Sequence, residues 1–447
     1  MAGKHDVVIV GGGVAGLATG ALLAKAGRTP IVLEKGNQLG GRAYTYAAQG
    51  FTLNYGAHAM YRPHSGLLAD ILGRIDRPRI EAPYPDPRRA YFAQDGRWGH
   101  LGTMPQDVLF TSLFPMATRV RLMRFMALLR FGKPDAGNLT AGAWLDRHTH
   151  DPYLKRFALA LATINTYTRP SSELSAAFLL RHLQRTLFAK DYVGYMSLGW
   201  STMYDAFASV IAEHGGEIAT GSRVDKLISE GGRVVAALVG DRRIEAEAFV
   251  VTIPPQDAPK LAEAGSPLRT ELERWHGLRE ARAVCLDLGF SRRLREDVTF
   301  IYDVGYDLYF SLHSEVTPDL APPGGQLLHA MAYLSPDEGA NDWLAERRAH
   351  ELEQGLDRYF PGWREATVVQ RPLPNALVTS ARQTSDQQAP ARVPARSSVA
   401  NNLYYAGDAR DLPYNLTEIS LASAMEIADL IASTTPARRA EVPAGIE

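Results

Sequence analysis

The stretch around the first glycine cluster restricts the fold of this sequence more than any other. His5-Asp6-Val7-Val8-Ile9-Val10 reads as a short apolar strand that runs straight into Gly11-Gly12-Gly13-Val14-Ala15-Gly16, which opens a helix of small and apolar residues. Glycine at 11 permits a tight turn, at 13 it lets a pyrophosphate approach the backbone, and at 16 it lets helix and strand pack closely. The helix start then offers free N–H groups and a positive dipole end to phosphate. A second strand, Pro30–Leu33, ends at Glu34, 18 residues after Gly16, where a carboxylate can accept ribose hydroxyls and repel a 2′-phosphate. Strand, glycines, helix, strand and acid in this order define a dinucleotide-binding unit.

Composition narrows the partners. Lys plus Arg (48) nearly cancels Asp plus Glu (49), so the basic excess that a nucleic-acid binder needs is missing. The single cysteine, Cys285, rules out an internal disulfide, a CxxC redox pair and a cysteine-built metal site. There is no HExxH, and the closest histidines, His148 and His150, cannot share a helical face, so no metal site is expected. Only eight residues are Lys, and none follows Lys260. No apolar run long enough for a signal peptide precedes Val7, and no window offers a spanning helix. A cytoplasmic protein is therefore expected.

Residues 105–133 are apolar and aromatic, with Arg119, Arg121, Arg124 and Arg130 and no acid after Asp107. They read as a substrate-domain helix pair with arginine stems along apolar surface, or as a peripheral membrane-docking patch, placing the protein on the inner membrane face. Residues 382–400 read as a long surface loop, and the chain from Ala437 onward as a frayed tail. A helix is expected near 201–214 and a meander near 217–253, with a hairpin turn at Asp241-Arg242. Alternating strands and helices argue an α/β fold with a second, less regular domain.

Two further elements favour FAD over NAD. Gly40-Gly41-Arg42, six residues after Glu34, can bring N–H groups and a guanidinium toward a second phosphate, although a Gly-Gly pair alone reads better as a plain turn. Far downstream, Asn401–Asp408 is a strand ending in Gly407-Asp408, followed by a helix from about Thr417 to Ile431. An Asp at that strand end can bind a ribityl hydroxyl, and the next helix N-terminus can face the flavin O2.

Three stretches, GGGVAGLATGALLAKAGRTPIVLEKGNQLGGRAYTYAAQGFTLNYGAHAM, GWSTMYDAFASVIAEHGGEIATGSRVDKLI and LYYAGDARDLPYNLTEISLASAMEIADLI, together resemble the flavin-dependent amine oxidoreductase superfamily, in particular its phytoene desaturase-like branch. The resemblance implies a Rossmann-like FAD-binding domain assembled from residues 1–75, 195–260 and 385–447, interleaved with a mixed α+β substrate domain of residues 76–194 and 261–384. It implies FAD along Gly11, Gly13, Val14, Ala15 and Gly16, then Glu34 and Lys35, then Gly41 and Arg42. Val224 would contact the adenine through its backbone, Gly407 and Asp408 the ribityl chain, and Thr417 and Glu418 the pyrimidine end.

The sequence departs from amine-oxidising relatives in two places. The strand comparable to the one that often carries their lysine, Arg279–Gly289, has none, and Leu416 occupies a position where they place an aromatic residue. Arg282 is no substitute, because a guanidinium does not titrate into a base. Cys285 lies far in sequence from the C-terminal helix, so a cysteinyl flavin link there is not expected and FAD should bind non-covalently. Phe51–His58 resembles the G-(P/A)-H stretch of desaturase-like proteins. This makes His58 a candidate proton donor or acceptor, or else a satisfied structural histidine, with Tyr55 beside it. Asn375, in Arg371-Pro-Leu-Pro-Asn375, is read as facing the cavity or as part of a crossover loop. Asn415 is read as a hydrogen-bond donor to substrate or flavin, or as a helix cap.

The favoured expectation is an FAD-dependent desaturase or dehydrogenase taking hydride from a largely apolar, isoprenoid-like substrate to flavin N5. Amine or amino-acid oxidation is the alternative, followed by a redox-neutral isomerase and a flavin-less binding protein. With no second GxGxxG, oxygen or a quinone is the expected electron acceptor.

Overall fold

In the computed structural model, which describes residues 5–56, 58–94, 96–100, 105–387 and 391–434, five parallel strands form the sheet that carries the glycine loop. Their spatial order is Leu403–Tyr405, Ala248–Val251, Val7–Val10, Pro30–Leu33 and Glu217–Ala219. The strands come from near the chain's start, its middle and its last tenth, and are held in register by pairs such as Val10 with Leu33 and Val251 with Tyr405.

Side-chain alternation explains the two layers around this sheet. Val7 and Ile9 face one way, into a core shared with helices Val14–Lys25, Ser201–Glu213 and Thr417–Thr434. Val8 and Val10 face the other way, against the antiparallel meander Lys226–Glu230, Arg233–Val239 and Arg242–Glu245. A sheet covered on both faces needs apolar residues at every position, hence the unbroken Val-Val-Ile-Val. All five strands bring their C-terminal ends to one edge, where open parallel sheets bind ligands.

The second sheet has seven strands, ordered Thr367–Thr379, Ala281–Phe290, Gln326–Leu334, Leu308–Ser311, Phe300–Asp303, Ala90–Gln94 and Arg97–Gly99. Its neighbours run antiparallel except Phe300–Asp303 beside Ala90–Gln94. On Ala281–Phe290, Val284, Leu286 and Leu288 pack with Leu352 and Leu356 of helix Asp342–Tyr359. Ala283 and Cys285 face the opposite layer, which includes Phe114, Leu122 and Phe157.

One expectation about local structure is refined and one is corrected. Residues 105–133 hold helices Pro105–Phe110 and Met116–Phe131. Two of the four arginines are tied to the protein: Arg119 donates to the Phe114 and Leu109 carbonyls, and the exposed Arg121 pairs with buried Asp151 at 2.6 Å. Among the described residues, no helix is long and apolar enough to cross a membrane. Among the described residues of 382–400, Arg382, Thr384 and Arg392 are buried, so the segment is not wholly superficial. Arg392 donates to the Ala381 and Arg382 carbonyls and Arg382 to Glu173, so polar side chains serve here as internal ties. The tail from Ala437 lies outside the described residues.

Candidate flavin site

A cavity of about 470 Å³ begins at the glycine loop and ends among tyrosines of the second sheet's helical layer. Gly13 borders it with nothing within 4 Å of a Cβ placed there, whereas Gly41 would touch the Gly13 Cα at 3.2 Å. The two glycine turns thus lie back to back. Gly16 has a different role: a Cβ would sit 2.0 Å from the Gly11 carbonyl oxygen, so it is the helix–strand packing position. Thr252, which the sequence reading missed, steadies the loop by donating to the Val10 carbonyl at 2.9 Å.

Glu34 stands at the mouth of this end, with one carboxylate oxygen accepting from Gly12 N–H and the other from Gly36 N–H, both at 2.7 Å. Each oxygen keeps a lone pair for a ribose hydroxyl. Lys35 and Val224 line the same cavity, as do Val14 and Ala15. Arg42 borders the cavity and is anchored in its wall: it donates to Asp408 at 2.7 Å and to the Val378 carbonyl at 3.0 Å. Asp408 also accepts from Thr379 Oγ1 and Ser380 N–H. Burial alone would push the Asp408 carboxyl up, but Arg42 and these donors outweigh it and hold it well below the usual carboxylate range. All of these contacts fall on one carboxylate oxygen, leaving the other for a ligand hydroxyl.

Gly407, at φ +130°, closes the strand end, and Thr417 and Glu418 open the helix that faces the cavity. Glu418 is buried and pairs with Arg185 at 2.7 Å; burial raises its carboxyl above the ordinary value. The open face at Gly13, the acceptor oxygens of Glu34 and Asp408, and the helix start at Thr417 together fit a long nucleotide cofactor with an anionic middle.

His58 and Tyr55 both border the cavity. The His58 ring lies edge-on to Trp200 at 4.8 Å, and its Nδ1 is 3.0 Å from the Gly56 carbonyl. That carbonyl assigns the hydrogen to Nδ1 and leaves Nε2 as the basic atom. Burial lowers His58 below the ordinary imidazole value, against the pull of the Gly56 carbonyl.

Asn415 is a correction. It takes no place in the lining; its amide donates to the Asn165 carbonyl at 2.6 Å, a carbonyl that Tyr61 OH also reaches. Its neighbour Leu416 faces the cavity instead. Asn375 likewise takes no place in the lining; its amide donates to the Gly339 carbonyl at 2.8 Å. Cys285, remote from the C-terminal helix in sequence, lines the same cavity as Leu416 and Thr417. Tyr61, Tyr167, Trp200 and Met331 complete the wall and were not foreseen. Only Trp200 lay within a quoted stretch. Among the described residues no cluster of three or more His, Cys, Asp or Glu could hold a metal ion.

Fold and site together define a flavin-dependent oxidoreductase. The chain belongs to the flavin containing amine oxidoreductase family, which it matches over residues 14–432. A phytoene desaturase (lycopene-forming) from Pseudescherichia vulneris is 25% identical over 421 residues, covering 81% of this chain and 84% of that protein. The human all-trans-retinol 13,14-reductase is 26% identical over 197 residues, 39% of this chain but only 31% of the human protein's length. In three dimensions the chain resembles an oxidoreductase from Methanosarcina mazei with a TM-score of 0.79 at 20% identity, covering 95% of this chain and all of the other.

Proposed function

We propose that the protein is an FAD-dependent dehydrogenase or desaturase that removes hydride from a largely apolar, isoprenoid-like substrate, with FAD held without a covalent bond. The observation that carries this reading is the cavity wall beyond the nucleotide end. Tyr61, Tyr167, Met331 and Leu416 present rings, a thioether and methyl groups there. The two lysines of the described lining, Lys35 and Lys260, lie at the other end, around Asp257. Glu418, an acid that could attract an amine, is already engaged by Arg185. The names of the phytoene and retinol relatives point to the same class of molecule.

When bound, FAD supplies the hydride acceptor. Gly11, Gly13, Val14 and Ala15 offer backbone to its pyrophosphate, and Glu34 binds the ribose. The open oxygen of Asp408 would hold a ribityl hydroxyl, and the helix start at Thr417 would stabilise negative charge on the flavin. His58 accepts the substrate proton at Nε2, with Tyr55 beside it, while Trp200 and Tyr61 keep water from the reacting bond. Oxygen or a quinone takes up the electrons.

Exposed Phe110 and Phe131, on the helix pair, form a contact with an anionic membrane surface from which an apolar substrate enters.

The purified holoprotein tests the reading. Anaerobic mixing with isoprenoid polyenes should bleach the flavin and give products two mass units lighter. Peroxide release on a panel of amines, an unchanged product mass, or a colourless protein would each overturn it. Flavin released by acid precipitation establishes non-covalent binding; flavin remaining on the pellet refutes it.

A further inference from the structure

Behind the turn that carries His58 lies a buried charged cluster that the site above does not use. Asp287, on strand Ala281–Phe290, stands directly opposite His329 on one neighbouring strand and Arg371 on the other. Asp287 and His329 are fully buried, with His329 Nδ1 2.6 Å from Asp287 Oδ1. The second carboxylate oxygen accepts from Arg371 Nη2 at 2.7 Å and Nε at 3.1 Å, and from Gly56 N–H at 3.4 Å. Arg371 also donates to the Asn54 carbonyl, and its guanidinium lies 5.4 Å from the Tyr55 ring.

These contacts converge on one turn. The Gly56 peptide joins the two sides, because its N–H faces Asp287 while its carbonyl accepts from His58. Gly56 sits at φ +85°, and a Cβ there would meet Cys285 Sγ at 3.3 Å, so the turn is pressed close to the strand that carries Asp287. A buried carboxylate costs several kcal/mol unless well paired, and breaking one partner leaves an uncompensated charge. The pairing here joins three strands of one sheet to a turn at the edge of the other domain's cofactor cavity.

Several charged or titratable groups face His58. They are Asp287, His329, His313 of the short turn His313–Glu315, and Arg42, whose backbone borders the ring. Arg371 reaches the same turn through Asn54. His313 packs 4.3 Å from His329 between ring centroids, and neither His313 nitrogen has a hydrogen-bond partner. The Asp287 charge favours a proton on His58, and His329 opposes it.

We propose that Asp287 is a positioning residue: held by Arg371 and His329, it fixes Asn54 and Gly56 against the cavity and sets the proton affinity of His58. This rests on the reading of His58 as the group that meets the substrate, but its test needs no substrate. In the FAD-loaded full chain with isotope-labelled histidine, imidazole NMR follows each titration, and His58→Gln identifies the His58 signal. Asp287→Asn should lower the His58 midpoint by about 0.5 pH unit or more, and His329→Gln should raise it. Hydrogen exchange over residues 54–58 should quicken at least about tenfold in Asp287→Ala, with the five-stranded sheet unaffected.

An unchanged His58 midpoint in flavin-loaded Asp287→Asn and His329→Gln overturns the inference, as does unchanged exchange. If the Asp287 variants do not fold, His329→Gln decides alone: a raised midpoint supports the inference and an unmoved one overturns it. A failed polyene assay with these shifts present would sink the proposed reaction and leave the positioning role standing.

Discussion

Arg42 and Asp408 stand 366 residues apart in the chain and meet at 2.7 Å in the wall of the candidate flavin cavity. The exposed third of Arg42 borders that cavity, so the pair is an interior one. Asp408→Ala removes the acceptor of Arg42, Thr379 and Ser380 together and leaves a cation without its partner. The expected loss is on the order of 3 kcal/mol in urea unfolding, with flavin content falling at least about tenfold. Because the folded carboxyl is held low, the pair's contribution is present above the unfolded carboxyl value and is lost only as pH falls through the folded one. Wild-type protein should therefore keep this contribution down to about pH 4.

Two glycines within six positions of the first strand should separate binding from folding. Gly13→Val places its side chain in the open cavity, so it should fold normally yet purify with little flavin. Gly16→Ala drives a methyl into the Gly11 carbonyl and should cost about 1–3 kcal/mol of stability or more. Visible absorbance beside a thermal melt checks both; equal flavin retention in wild type and Gly13→Val would contradict the site.

His182 gives a pH signature. Burial, with Arg185 adding to it, pushes its imidazole down to about 3, and its Nε2 has no partner. The folded protein keeps the ring neutral while the unfolded chain binds a proton below about pH 6.5, so stability declines from there toward pH 3. This one group contributes a slope of roughly 1.4 kcal/mol per pH unit. His182→Phe, whose ring suits the stack on Phe178 and the edge of Tyr61, should flatten the decline. Urea midpoints at pH 7 and pH 5 measure it, and parallel curves for both proteins would refute the assignment.

The helix pair makes a surface prediction. Phe110 and Phe131 are 78% and 84% exposed, while Arg124 and Arg130 have no carboxylate partner among the described residues. Binding to vesicles of phosphatidylglycerol and phosphatidylcholine should weaken with salt, and should fall at least about tenfold in the Phe110→Ser, Phe131→Ser double variant. Equal partitioning of variant and wild type would remove the membrane role.

What could be read from the sequence was local. Val7–Gly16, Glu34 and Gly407-Asp408 each announce themselves within a few residues, because turn, dipole and strand-end chemistry act at short range. Asn415 could not be placed that way, since its partner is Asn165, 250 residues upstream. Residues 382–400 looked solvent-bound because Gln, Ser, Pro and Arg usually are, yet Arg392 finds its acceptors in the backbone carbonyls of the same segment. Cys285 was judged by distance along the chain, and strand pairing brought it to the cavity. Asp287 carried no sequence signal at all: its meaning lies in His329 and Arg371, which become its neighbours only when three strands align.

The strand Leu403–Tyr405 completes the parallel sheet from its edge, beside Ala248–Val251. About 370 residues separate it from Pro30–Leu33, so at roughly 5–20 residues per second the first strands wait tens of seconds for the last one during synthesis. Through that interval Asp408 and the helix from Thr417 have not yet been made, and the nascent chain holds only half of a cofactor cradle. A complete cofactor cradle therefore exists only once the strand Leu403–Tyr405 and the helix from Thr417 have been made.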